Sequence, residues 1–170
     1  MSYRNKTYVA FDGDTDIACY RLMKAWKQNE HIDFNFFDAH DLNSARDSST
    51  EESIKAQLRL RMVESKQMVL LVGEKTRLLR KFIPWEIELA RKKGIPIVVA
   101  NLNGHREYDD TRCPGALKDN VYTVSVSFQP KIVQFALDAF PTQFANLKNA
   151  QGYDHRHHYG SDVYKSLGLG

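Results

Sequence analysis

Gln67-Met68-Val69-Leu70-Leu71-Val72 is a nearly continuous apolar run of strand length. A strand without polar alternation is one covered on both faces, which is the condition of a strand inside a parallel sheet. The chain on either side of this run is punctuated for helices. Upstream, Ser49 and Glu52 have capping-box spacing, and Ile54, Leu58 and Met62 recur every four residues. This predicts a helix from near Thr50 to near Ser65. Downstream, residues 73–81 form a basic connection and Pro84 stands where the first turn of a helix tolerates proline. Trp85 and Leu89 follow, and the segment ends on Arg91-Lys92-Lys93-Gly94, a basic last turn with a glycine stop. Residues 95–102 (IPIVVANL) read as another buried strand, and residues 121–126 as the last.

The first third carries the same alternation. Residues 6–11 (KTYVAF) are β-rich and stop at Asp12-Gly13-Asp14-Thr15, a turn cluster that also offers helix N-caps. From residue 16 to 28, Ala18, Leu22, Ala25 and Trp26 recur at three- and four-residue spacing and predict one apolar helical stripe. Residues 32–37 (IDFNFF) read as the second strand and residues 38–48 as a polar loop. Residues 103–119 form a polar connection containing Cys113-Pro114-Gly115. In the final helical pattern Ile132, Ala136, Phe140, Phe144 and Leu147 share a face, with Pro141 expected to kink or restart the helix. Five strands alternating with helices imply an α/β domain over residues 1–149 with a doubly wound parallel five-stranded sheet, followed by a His/Tyr/Gly-rich tail over residues 150–170. Ligands of such sheets bind at the carboxyl ends of the strands, here residues 12–15, 38–47, 73–81 and 103–114.

At 170 residues the chain suits one domain that buries roughly two-thirds of its unfolded surface. Its 42% hydrophobic and 26% charged residues are ordinary for a globular protein. The net charge of +3 is dispersed and the aromatics do not interleave with basic runs, which argues against a nucleic-acid partner. No apolar run approaches the roughly 20 residues that span a bilayer. Two cysteines, Cys19 and Cys113, without metal-type spacing and without a secretory leader, point to a reducing cytoplasm and no membrane partner.

Several side chains could carry chemistry. Asp12 and Asp14 follow the first strand, where a flavin mononucleotide phosphate or a receiver-type Mg²⁺ would sit. Two carboxylates repel the phosphate, and Gly73-Glu74-Lys75 supplies no aspartate for the receiver. Asp14 or Thr15 can equally serve as a helix cap. Glu86 stands early in a helix that begins on the ligand edge, where the helix dipole alone favours a carboxylate. Cys113 lacks an evident base and reads as an inert loop cysteine rather than a nucleophile. Asp154-His155-Arg156-His157-His158 lacks the ligands for a closed metal site and reads as a mobile or interface-forming tail.

Three stretches together carry a likeness: YVAFDGDTD (residues 8–16), FFDAHDLNSAR (residues 36–46), and residues 69–103 with LLVGEKT, KFIPWEIELA and IPIVVANLN. Over about residues 6–140 the chain resembles the TIR-like, flavodoxin-like domain family of Thoeris ThsB, a bacterial anti-phage component. The resemblance implies an enzyme that takes NAD⁺ as substrate, needs no further cofactor, and cleaves the nicotinamide–ribose bond. The product would be an ADP-ribose-derived signalling nucleotide, cyclic or conjugated, read by a ThsA-like effector. Phe82-Ile83-Pro84-Trp85-Glu86 matches the family's aromatic-x-x-x-Glu context, which implies Glu86 as the catalytic carboxylate. By the same likeness Phe11, Asp12, Asp14, Arg46, Trp85 and Asn103 are expected at the substrate. The two aspartates replace a serine-rich loop start, so a pyrophosphate would have to face Arg46 or Lys75. Self-association is also implied, and so is the alternative of a non-catalytic adaptor.

Overall fold

A computed structural model describes residues 6–32, 34, 37–38, 50–118, 122–147 and 154–170. The elements alternate as expected: β1 (Lys6–Ala10), α1 (Ile17–Gln28), β2 (Phe37–Asp38), α2 (Glu51–Glu64), β3 (Gln67–Val72), α3 (Phe82–Lys93), β4 (Ile97–Asn101), β5 (Thr123–Ser127), α4 (Pro130–Leu147) and α5 (Ser161–Ser166). All the pairings are parallel, in the order β2-β1-β3-β4-β5. Four strands of five or six residues carry the sheet. Of the second strand, expected over residues 32–37, the described pairing is that of Phe37 and Asp38 with Lys6 and Thr7; residues 33, 35 and 36 lie outside the described residues.

The apolar run Gln67–Val72 is the central strand, and all six of its residues are buried. Alternate residues of β1, β3 and β4 feed two separate cores. Val9, Val69, Leu71, Val98 and Ala100 pack with Tyr20, Met23 and Trp26 of α1 and with Ile132, Ala136 and Phe140 of α4. Tyr8, Ala10, Met68, Leu70, Val72, Ile97 and Val99 pack on the other face with Leu58 and Met62 of α2 and with Ile83, Ile87 and Ala90 of α3. Both faces of the strands are therefore covered by helices, which is why these strands show no polar alternation.

Several helix expectations need correction. The stripe of α1 is Tyr20, Met23 and Trp26; Ala18 and Ala25 are exposed and Leu22 is 48% exposed. Small alanines contribute little buried area, so the large apolar side chains set which way the helix faces. The N-cap of α1 is Asp16, neither Asp14 nor Thr15. Thr50 caps α2, its hydroxyl accepting the Ser53 N–H at 3.1 Å, while Ser49 lies outside the described residues. Pro141 does not restart α4, which runs from Pro130 to Leu147 with the proline inside it. The burial of Phe140 and Phe144 on either side holds the helix through a proline that costs about 3 kcal/mol in an isolated helix.

The tail also departs from expectation. Residues 154–170 dock along the outer side of β5 rather than standing off as a mobile segment. Ser125 N–H donates to the His157 carbonyl at 3.0 Å, the Thr123 hydroxyl donates to the His155 carbonyl at 2.9 Å, and Ser125 forms a parallel bridge with His158. Tyr159 and Tyr164 are buried in the α1/α4 core, and the Tyr164 hydroxyl accepts the Ser127 N–H at 3.2 Å. Unpaired strand edges are liabilities. Here the chain's own C-terminal segment covers one.

Candidate functional site

Helix α3 explains the position of Glu86. Ile83, Glu86, Ile87 and Ala90 are its buried residues, spaced three and four apart on one face. Gly94 ends the helix in the left-handed region at φ 71°, donating its N–H to the Ala90 and Arg91 carbonyls. Glu86 thus occupies a core position, with 4% of its surface exposed. This is more than a first-turn dipole effect would require, because a carboxylate placed for the dipole alone needs no burial.

The charge of Glu86 is the costly feature. Burial pushes its carboxyl up to about 8, and the neighbouring Tyr8 hydroxyl acts the other way, favouring the ionised form. Tyr8 is fully buried in the middle of β1, and its own ionisation is pushed upward by burial and then by the neighbouring Glu86. Arg61 of α2, 8% exposed, acts on Tyr8 with the opposite sign. Glu86 Oε2 has no hydrogen-bond partner among the described residues. β1 and α3 thus bring a phenol and a carboxyl together in the core, and burial favours the neutral form of that carboxyl.

The other expected site residues are placed as follows. Trp85 is half-buried at the α2/α3 interface, with Lys55 and Arg59 over its ring at 5.6 and 5.7 Å. Phe11 packs on the opposite core, stacked on Tyr20 at 4.5 Å, so the sheet separates it from the Glu86–Tyr8 pair. Asp12 is buried and its Oδ1 accepts the Asp14 N–H at 3.0 Å; Asp14 itself is exposed. Arg46 lies outside the described residues, and Lys75 is exposed before the turn Thr76–Leu78. Asn103 is committed to its own loop, donating to Asp109 Oδ2 at 2.9 Å and accepting the His105 N–H at 3.1 Å.

Asp16, Asn101 and Tyr8 were not singled out by sequence. Asp16 is buried against Gly73, where a Cβ would lie 2.3 Å from its carboxylate. Its carboxyl is raised by burial and then by the like charge of Asp12, opposed by Arg112 and by a hydrogen bond with Thr76. Asn101, the last residue of β4, is 1% exposed and donates to the His105 and Glu107 carbonyls at 3.0 and 2.8 Å. Asn101 thus ties the end of β4 to the loop in which Asn103 bonds to Asp109 and His105. The signals were available: the α3 period through Ile83, Ile87 and Ala90 includes Glu86, and strand alternation puts Tyr8 on the same face as Ala10.

Cys113 is fully buried, and burial pushes its thiol up to about 11, which makes it inert as a nucleophile at neutral pH. Among the described residues no group of His, Cys, Asp and Glu could hold a metal ion. No helix among them is long and apolar enough to cross a membrane.

Comparison with known proteins adds the family. The profile of the family described as Thoeris protein ThsB, TIR-like domain, matches residues 8–107, more than half of the chain and the whole span from Tyr8 through Glu86 to Asn103. Among solved structures, the chain is similar to a conserved protein from Enterococcus faecalis V583, with 15% sequence identity and a TM-score of 0.43 over 98% of this chain and 88% of that one.

Proposed function

The chain belongs to the Thoeris ThsB TIR-like domain family, and from that premise we propose that it consumes NAD⁺, with Glu86 as the catalytic carboxylate. Membership supports a TIR-type role in anti-phage defence. The finer reading is cleavage of the nicotinamide–ribose bond and formation of an ADP-ribose-derived signalling nucleotide for a downstream effector. Self-association of the enzyme belongs to the same proposal.

The observation that carries the reading is a carboxyl group buried on a helix's core face with one oxygen left without a partner among the described residues. An isolated buried carboxylate is unfavourable unless something compensates its charge. The nicotinamide ring of NAD⁺ is a pyridinium cation. As the C1′–N bond breaks, its electron pair leaves with nicotinamide, which becomes neutral, and positive charge develops on the ribose. Ionised Glu86 stabilises that charge, and no second carboxyl is required to protonate the leaving group. Water or a nucleophile of the ADP-ribose then bonds to C1′ and gives up its proton.

The closure of Glu86 favours a second reading, a non-catalytic adaptor in which the neutral carboxyl is a core group. The two readings part on one assay. Concentrated protein is incubated with NAD⁺, nicotinamide is followed and the products are resolved by mass. Nicotinamide appearing with an ADP-ribose-derived product supports the enzyme. Intact NAD⁺, even when the protein is forced to assemble, supports the adaptor.

A further inference from the structure

We propose that the docked C-terminal segment is a latch: residues 154–170 hold the connection that follows β4, and with it the Asn103 loop at the carboxyl edge of the sheet, so that releasing the segment loosens that edge. The contacts begin in the Asp154–His158 run, which the function proposed above does not use. Its backbone pairs with β5 through the His155 and His157 carbonyls. Its side chains meet the β4–β5 connection instead. Arg156 pairs with Asp110 and lies over the Tyr108 ring at 5.2 Å, the His155 ring meets Tyr108 edge-on at 5.0 Å, and His158 Nε2 stands 3.6 Å from Glu107 Oε1.

The C-terminal helix holds the same connection through Arg106. This half-buried side chain lays its guanidinium over the ring of buried Tyr164 at 4.1 Å and donates to the Leu169 carbonyl at 2.6 Å, a stacked and directional pairing that suits arginine. Arg106, Glu107, Tyr108 and Asp110 therefore all touch the C-terminal segment. On the strand side the connection is fixed by Asn101, which donates to the His105 and Glu107 carbonyls. Asn103, Gly104 and His105 are exposed and lie between these two anchors. A surface stretch of this kind takes its order from its anchors rather than from its own burial. Loosening either partner then loosens the other, because coupling between two parts of a molecule is reciprocal.

Reciprocity supplies the test, amide hydrogen exchange of the full chain followed by NMR. Each variant is read at amides its side chain does not touch. Arg156→Ala, in the C-terminal segment, is read at Gly104 and His105, whose N–H groups donate to the Asn101 carbonyl and to Asn103 Oδ1, each at 3.1 Å. Arg106→Ala, on the connection, is read at Ser125, whose N–H donates to the His157 carbonyl. Exchange at these amides should quicken by at least about fivefold, the lower end of coupling between sites. Unchanged exchange across β3 and β4 verifies that the fold persists. Unchanged exchange at the read amides in either variant overturns the latch. Its bearing on catalysis rests on the NAD⁺ reading, under which Arg156→Ala should raise KM for NAD⁺ by about fivefold with kcat less affected. Coupled exchange in a protein that leaves NAD⁺ intact upholds the latch and overturns only the enzymatic reading. Coupled exchange with an unchanged KM in a protein that consumes NAD⁺ overturns the hold of the latch on the site.

Discussion

Tyr8 of β1 and Glu86 of α3 act on each other's ionisation inside the α2/α3 core, where both side chains are almost entirely removed from solvent. The family resemblance marks Glu86 by its place in a motif; the fold gives that residue a physical character. Its carboxyl is pushed up to about 8 by burial, so at neutral pH the resting group is largely protonated. The following expectations derive from that character and from the way the rest of the chain supports it.

The first concerns pH and activity. If the ionised form of Glu86 stabilises the developing ribose cation, kcat/KM for NAD⁺ should rise about tenfold per pH unit below pH 8 and level off above it. A profile flat between pH 6 and 8 would show that the ionisation of this carboxyl does not limit the reaction.

The second concerns pH and stability, where the sign is opposite. Glu86 has a folded value above its ordinary 4.5, so the folded chain holds a proton that the unfolded chain has released. The stability this contributes is complete below about pH 4.5 and is lost as pH rises toward 8. Glu86→Gln removes the ionisable group. The variant should therefore gain on wild type with rising pH, by up to about 5 kcal/mol above pH 8. Chemical denaturation at pH 5 and pH 8.5 measures the difference, and equal gaps at both would contradict it.

How far the sequence could be read depends on what each residue was asked to reveal. Gln67–Val72 was legible because a buried parallel strand leaves a continuous apolar run, and the boundary of β3 agrees with that run. In α1 the spacing was legible but the facing was not: periodicity weighted Ala18 and Leu22 equally with Trp26, whereas area makes Tyr20 and Met23 decisive. Which residues of the second strand pair with β1 was not legible, because composition does not record pairing; among the described residues Phe37 and Asp38 do. At the site, Glu86 was visible through its motif, but its burial came from the helix period and its partner Tyr8 from 78 positions away in sequence, a contact only the sheet creates. The tail reads as mobile or interface-forming from its Asp154–His158 run, because the sequence does not show that Tyr159 and Tyr164 enter the core.

The third expectation concerns that tail. Tyr164 is fully buried, with Arg106 over its ring at 4.1 Å, so Tyr164→Ala should cost about 3–5 kcal/mol. Arg156 makes a two-pronged ion pair with Asp110 at 2.9 and 2.6 Å, but both are about half exposed and screened by solvent, so Asp110→Ala should cost far less than Tyr164→Ala. Thermal unfolding of the two variants tests whether the core or the surface pair holds the C-terminal segment. The reverse ranking would assign the docking to the surface pair.

The fourth concerns Gly73, immediately after β3. A methyl group there would meet the Asp16 carboxylate at 2.3–2.6 Å, in a buried spot where Thr76 already accepts the Gly73 N–H at 2.8 Å. Gly73→Ala should destabilise the chain by about 1–3 kcal/mol. A variant as stable as wild type in denaturant would mean that Asp16 can move aside at no cost.

The central claim is that Glu86 carries the chemistry. Its most direct test is the initial rate of nicotinamide release from NAD⁺ by wild-type chain and Glu86→Gln, at equal concentrations and with folding verified. Loss of at least about 100-fold in the variant is the predicted result, the scale of losing a preorganised electrostatic contact. Release by Glu86→Gln at the wild-type rate would contradict the account, because the buried carboxyl would then be a structural group and the chemistry would lie elsewhere on the fold.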